Sequence, residues 1–347
     1  MIFSTAIRQH SVSPYVRIRN RFRVRTIPDL FQLFSDYMAG QKPNETPATL
    51  YEPYRYLLDL SGKRLRPLLV LMGCELFGED STKALPQAYA IELFHNFTLA
   101  HDDIMDQAAL RRGSPTVHTK YGTPSAILSG DVMLVYAYRY LAQNQSDQLS
   151  RLLEIFNAMA IGVCEGQQHD LDFETRGDVE SREYIAMIEQ KTALLLGTAL
   201  EIGGLLGSGG EADRANLRCF GINTGIAFQL LDDLLDAFGT EAETGKTVGG
   251  DIAQNKKTIL YLEAMGKADT VQQRRLTKLY SEAVVSSDLK VKDVKQLFAE
   301  TGAEEKVRVL VELYHRRAMA CLDAVNVPAE AKSNLVEFSE MLMLRTR

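Results

Sequence analysis

Two short stretches place carboxylates at a spacing that could do chemistry: LAHDDIMD at residues 99–106 and LLDDLLD at residues 230–236. On a helix, residues four apart share a face and the next residue lies about 100° round. Asp102 and Asp106 therefore project together with Asp103 flanking them, and Asp232, Asp236 and Asp233 repeat the arrangement. Carboxylates this close repel one another unless a cation lies between them. A calcium loop of the EF-hand kind needs alternating ligands around a glycine turn and a closing glutamate, and neither stretch has them. Oxygen-only ligands on rigid helices suit Mg²⁺, which keeps several waters and takes one or two carboxylates together with substrate phosphates. The aspartates thus imply a phosphorylated ligand.

A metal-held diphosphate also calls for cationic donors, and the chain supplies them in several places. GKRLRP (62–67) carries Lys63, Arg64 and Arg66; RRG (111–113) carries Arg111 and Arg112 directly after the first acidic stretch. EQKTALLL contributes Lys191 and Thr192, and Lys246, Lys256 and Lys257 surround a glycine-rich segment, TGKTVGGDIAQNKKT. His95 lies two helical turns before Asp102 and so on the same face; His101 and His118 have weaker cases.

The elements that must position these residues read as helices. Apolar residues recur at helical spacing in DLFQLFSDYMAG, in ALPQAYAIELFHNFTLAHDDIMDQAALR and in EKVRVLVELYHRRAMACLDAV, while strand-like alternation is scarce. Turn-forming residues cluster near 40–47, 78–86, 113–124, 144–149, 176–181, 207–211 and 239–256, none of them resembling an interdomain linker. The expectation is one all-α domain over residues 28–347. Residues 1–27 are rich in arginine and lack acidic residues, the composition of a disordered basic extension or of a transit peptide. A net charge of −6 argues against a nonspecific nucleic-acid binder. The apolar windows are interrupted by charges before they reach the length of a membrane span. Cys74, Cys164, Cys219 and Cys321 lie far apart in apolar surroundings and read as reduced thiols in a cytoplasmic protein.

In order along the chain, GKRLRP, HNFTLAHDDIMD, RRGSPTVH, EGQQHDL, EQKTALLL, FQLLDDLLD and TGKTVGGDIAQNKKT resemble the motif blocks of the trans-isoprenyl diphosphate synthases, or polyprenyl synthetases. The resemblance implies a type I isoprenoid synthase fold, a helical bundle around a deep central cavity, usually homodimeric, with both acidic motifs at the mouth. It implies that Asp102, Asp103, Asp106, Asp232 and Asp236 hold Mg²⁺ bridging to an allylic diphosphate, with Arg111, Lys191, Lys246 and Lys256 on the same group. Lys63, Arg66, His95 and Arg112 would bind isopentenyl diphosphate. Thr192 and Gln229 would face the carbocation left when the allylic C–O bond breaks, and Lys191 would act beside them. The apolar surroundings would keep water from that cation.

Product length would be set by an aromatic floor: the helical wheel puts Phe94 on the flank of the aspartate line, whereas the family pattern points to Phe97, five residues before the motif. Either way the expected product is C20, with C15 next. A terpene cyclase would share DDxxD and Mg²⁺, but its second site is typically an Asn/Ser/Glu pattern and its cavity uses Trp, of which this chain has 0. A non-catalytic partner subunit would have lost ligands that are present here.

Overall fold

The computed structural model describes residues 24–143, 147–240, 248–281 and 287–344. The chain opens with α1 (Ile27–Gly40), α2 (Ala48–Asp59), α3 (Leu65–Glu75) and α4 (Leu85–Met105). A two-stranded hairpin, β1 (Leu110–Arg111) paired antiparallel with β2 (Ser114–Pro115), separates these from α5 (Val117–Tyr121) and α6 (Thr123–Leu141). Then come α7 (Leu149–Thr175), α8 (Ser181–Ile188), a π-turn at Glu189–Ala193, α9 (Leu194–Leu206) and α10 (Glu211–Phe238). The last part comprises α11 (Gly250–Ala253), α12 (Ile259–Lys267), α13 (Thr270–Ser281), α14 (Ser287–Glu300), α15 (Ala303–Asp323) and α16 (Ser333–Met343). The all-α expectation holds, and the breaks at 40–47, 176–181 and 207–211 fall between helices.

The helix α9, LLLGTALEIGGLL, is apolar on nearly every face, and every one of its residues is buried. Such a helix belongs in the centre. It packs against α3, α7 and α10, while α4 packs on α6 and α3. Close approach to α10 requires glycine on both sides, because a Cβ on Gly221 would lie 2.6 Å from the Gly197 Cα. The larger apolar core gathers side chains from α1 to α7, α9, α10, α15 and α16; a second gathers those of α7, α8 and α10 to α15. Both run through α10, whose Leu217 and Phe220 sit in the first core and whose Leu230 and Leu234 sit in the second. This shared helix fixes the second acidic motif relative to the first.

Two readings of the sequence need correction. Arg25 and Thr26 belong to the fold and not to the basic extension. Thr26 caps α1 in a reciprocal box with Asp29, and Arg25 pairs with Glu75 at 2.7 Å while its carbonyl accepts from Asn334 at 2.8 Å. The cysteines are not all thiols either: Cys219 on α10 and Cys321 on α15, 102 residues apart in sequence, form a disulfide, whereas Cys74 and Cys164 are free.

Candidate active site

The first acidic motif ends α4. Asp102 and Asp103 occupy its last turn and Asp106 is the C-cap residue, where the helix dipole is negative and further negative charge is unfavourable. Gln107 then takes a left-handed turn (φ 51°) and the β1–β2 hairpin returns Arg111 to the helix end. Arg111 donates from Nε to both oxygens of Asp103, at 2.9 and 2.8 Å, and from Nη2 at 2.8 Å. With Asp103 only 1% exposed, this carboxylate is committed to Arg111. Asp102 is left facing outward with Asp106. The buried Oδ1 of Asp102 accepts no hydrogen bond, and its nearest cation is the Lys191 ammonium at 3.5 Å. Desolvation and the neighbouring Asp102 charge raise the pKa of Asp106, against the pull of Lys191 and Lys256.

Lys191 stands on the π-turn between α8 and α9, with Thr192 half-buried beside it. Such one-turn distortions are frequent at functional sites. Gly166 on α7 allows the approach, since a Cβ there would lie 2.4 Å from the Lys191 amide nitrogen. The ammonium donates to Asp170 of α7 at 2.5 Å. Burial disfavours its charge, but Asp170, Asp102 and Asp106 outweigh that and raise its pKa.

The second motif lies in the last turns of α10, again at a negative helix end. Asp233 turns inward: it accepts from the Tyr184 hydroxyl at 2.7 Å and from Gln229 Nε2 at 3.1 Å. Burial pushes its pKa up to about 8. Asp236 accepts the Asp251 amide at 3.0 Å and so anchors α11. Asp251 in turn pairs with Lys256 at 3.5 Å. The charges of Asp251, Asp106 and Asp170 raise the pKa of Lys256 against its burial. Lys256 thus feels Asp106 of the first motif together with Asp251, whose amide is bonded to Asp236 of the second. Lys257 points elsewhere, donating to the carbonyls of Phe173, Glu174 and Arg176 at the end of α7. Asp232 is half-buried on the same turn as Asp233. Lys246 lies outside the described residues.

The remaining cations form a separate group at the start of α3. Arg66 Nη1 lies 3.1 Å from His95 Nε2. Desolvation, with Arg112 adding to it, lowers the Arg66 pKa to about 10, and its Nε is buried with no hydrogen-bond partner. Burial and the surrounding arginines push the His95 imidazole well below its usual range, so it is neutral. Arg112, exposed and anchored on the Ser61 carbonyl at 2.6 Å, is likewise lowered by desolvation and by Arg64. Lys63 is exposed on the same segment. Depressed arginines and an orphaned guanidinium N–H mark a cationic cluster whose charge Glu92 answers only in part.

Comparison with known proteins decides what this geometry belongs to. The profile of the polyprenyl synthetase family matches residues 47–300. A geranylgeranyl diphosphate synthase of Sulfolobus acidocaldarius is 36% identical over 317 residues, 88% of this chain and 93% of that protein. The chain belongs to the polyprenyl synthetase family. A crystal structure of a geranylgeranyl pyrophosphate synthase superposes with a TM-score of 0.89 at 41% identity, over 93% of this chain and 100% of that one. A geranylgeranyl pyrophosphate synthase from Corynebacterium glutamicum, solved in complex with isoprenyl diphosphate and magnesium, gives a TM-score of 0.79 at 27% identity, over 92% of this chain and 97% of that one. This polyprenyl synthetase is a short-chain trans-prenyltransferase, and its substrates are isopentenyl diphosphate and an allylic diphosphate. Among the described residues, no helix is long and apolar enough to cross a membrane.

A divalent cation fits the donors of this polyprenyl synthetase. Asp102 offers an unpartnered carboxylate oxygen, Asp106 is strained by like charge, and both acidic motifs sit at negative helix ends. Among the described residues, no three His, Cys, Asp or Glu side chains converge into a ready-made metal cluster.

Of the two aromatics upstream of the first motif, Phe94 is 1% exposed and packs edge-on against Phe156 at 5.3 Å. Phe97 is only partly buried, 5.6 Å from Phe94 and 4.8 Å from His101. The sequence reading missed Asp170, Asp251 and Tyr184. The first two are single acids that charge pattern alone does not distinguish, although each falls inside a motif block.

Proposed function

We propose that this prenyltransferase adds isopentenyl diphosphate to an allylic diphosphate to give an all-trans C20 diphosphate, with Mg²⁺ as its metal. The observation that supports the assignment of the site is the placement of Lys191 and Lys256 beside Asp102, Asp106, Asp170 and Asp251, the last of which bonds Asp236 of the second motif, with a second cationic cluster at Lys63, Arg66, His95 and Arg112. One holds a metal-bound diphosphate and the other a diphosphate without metal. Asp102 and Asp106, with Asp232 and Asp236, would hold the metal, and Asp103 supports that group by fixing Arg111. Bound Mg²⁺ supplies positive charge to the diphosphate oxygens as the allylic C–O bond breaks.

Lys191, Lys256 and Arg111 hold the leaving diphosphate and stabilise its growing negative charge, a task for which preorganised cations in a shielded site are effective. Asp170 fixes the Lys191 ammonium. With its Nε2 donated to Asp233, the Gln229 amide turns its oxygen to the carbocation beside Thr192. The neutral His95 and the guanidinium groups of Arg66 and Arg112 orient isopentenyl diphosphate so that its double bond meets the cation. The new C–C bond leaves a positive charge that is discharged by loss of a proton to the departed diphosphate. Phe97, partly buried and adjoining the first motif, would form the floor that limits the chain to C20.

The enzyme would work as a homodimer. Leu128, Val135 and Tyr138 on α6 and Ile161 on α7 are 58%, 64%, 36% and 60% exposed, an apolar strip that a second copy would cover. The test is incubation of purified protein and Mg²⁺ with isopentenyl diphosphate and, separately, the C5, C10 and C15 allylic diphosphates, followed by sizing of the products. The expected product is C20, and chelation of the metal abolishes it. A cyclised hydrocarbon, or full turnover after chelation, would overturn the reading.

A further inference from the structure

We propose that the buried ion pair between Arg64 and Glu92 positions the cationic pocket and thereby sets the affinity for isopentenyl diphosphate; this rests on the assignment of that pocket above. Arg64 lies between Lys63 and Arg66 in sequence, yet it serves differently. Its backbone is left-handed (φ 48°, ψ 37°), an uncommon conformation for a residue with a Cβ. That reversal sends the guanidinium inward to Glu92 Oε1 at 2.6 Å and to the carbonyls of Leu58 and Leu60 at 2.5 and 3.0 Å. Both side chains are nearly shielded from solvent, 6% and 3% exposed. Asn96 locks the acceptor by donating to the Glu92 carbonyl at 2.7 Å and to Oε1 at 3.1 Å.

The consequence lies one helical turn away. Glu92 and His95 are three residues apart on α4 and share a face, while Arg64 and Arg66 are two apart at the start of α3. Two rungs thus join the helices: Arg64 to Glu92, and Arg66 to His95. The second rung has no attraction of charge to hold it, because both members are cationic or neutral. The first supplies that attraction and sets the register. Glu92 is also the carboxylate whose field supports the Arg66 charge against burial and against Arg112. A pocket built this way keeps its guanidinium groups ionised and pre-placed for an anion while offering no carboxylate that would compete for them.

The test compares steady-state kinetics of Glu92→Gln, Arg64→Lys and the paired variant Arg64→Met with Glu92→Leu. The paired variant removes both charges, which folded proteins tolerate far better than one unpaired buried charge, and circular dichroism verifies its fold. The expected result is a rise of about 10-fold in KM for isopentenyl diphosphate in Glu92→Gln and in the paired variant, with KM for the allylic diphosphate and kcat within about 3-fold of the parent. Arg64→Lys keeps the charge but loses the fork, and gives an intermediate rise. Arg66→Gln is the reference. If it leaves KM for isopentenyl diphosphate unchanged, the assignment of the pocket fails and the proposal with it. If Arg66→Gln raises that KM while the Arg64 and Glu92 variants lower only thermal stability, or shift both substrates equally, the positioning role alone is overturned.

Discussion

Asp102 and Asp103 are adjacent in sequence, but the structure gives them separable consequences. Asp103 is 1% exposed and takes three bonds of 2.8–2.9 Å from Arg111, whose side chain is 22% exposed. Removing one partner of a buried pair costs about 3–5 kcal/mol. Arg111 keeps part of its compensation, because Asp102 Oδ2 remains 3.5 Å from its Nη2. Asp103→Asn should therefore lose about 2–3 kcal/mol, somewhat less than that range, and drop in Tm by about 3–4 °C for a chain of this size. Asp102→Asn loses two 3.5 Å ion contacts but relieves repulsion with Asp106. Its stability should change by less than about 0.5 kcal/mol, while its turnover falls at least about 100-fold, the effect of removing a charge-stabilising group. Calorimetry and incorporation of labelled isopentenyl diphosphate separate the two. Equal losses of Tm in both variants, or an unchanged Tm in Asp103→Asn, would refute the division of labour.

The other predictions concern the second motif and the floor. Burial lifts the pKa of Asp233 from 3.8 to about 8, so between those values the folded chain keeps a proton that the unfolded chain has released. Stability should fall as pH rises through that window. Asp233→Asn, read as Tm from pH 5 to pH 8, should flatten the slope; an unchanged slope would sink the assignment. Phe97→Ala should lengthen the product beyond C20 with little loss of stability, because Phe97 is partly buried. Phe94→Ala, in contrast, removes a ring that is 1% exposed and packed on Phe97 and Phe156, and should cost about 3–5 kcal/mol. Product sizing and thermal melts on the two variants distinguish floor from core.

What the sequence conveyed was mostly periodic or repeated. Helical spacing predicted the bundle, and two copies of DDxxD among apolar residues pointed to metal and phosphate before any fold was known. What it withheld was tertiary. In each motif the middle aspartate turns inward, Asp103 to Arg111 and Asp233 to Tyr184 and Gln229. A helical wheel gives the 100° offset of that residue but not the side on which the protein lies. The partner of Asp103 arrives on a hairpin after a left-handed Gln107, and the partner of Cys219 is 102 residues away. No local pattern announces either.

Charge type alone also fails to rank neighbours. Lys63, Arg64 and Arg66 look equivalent as letters, as do Lys256 and Lys257. Backbone direction separates them: the left-handed turn at Arg64 drives it into the core, and Lys257 caps α7 while Lys256 faces the acids. In each set one cation, Arg64 or Lys257, is spent on holding the scaffold and the rest are left for an anion. A basic cluster in a phosphate-handling enzyme is thus better read as a ligand set plus its supports than as a count of positive charges, and burial decides which is which. Arg64 illustrates the rule, since its charge is fully answered by Glu92 and two carbonyls, whereas Arg66, two residues on, retains an N–H that only a further acceptor can satisfy.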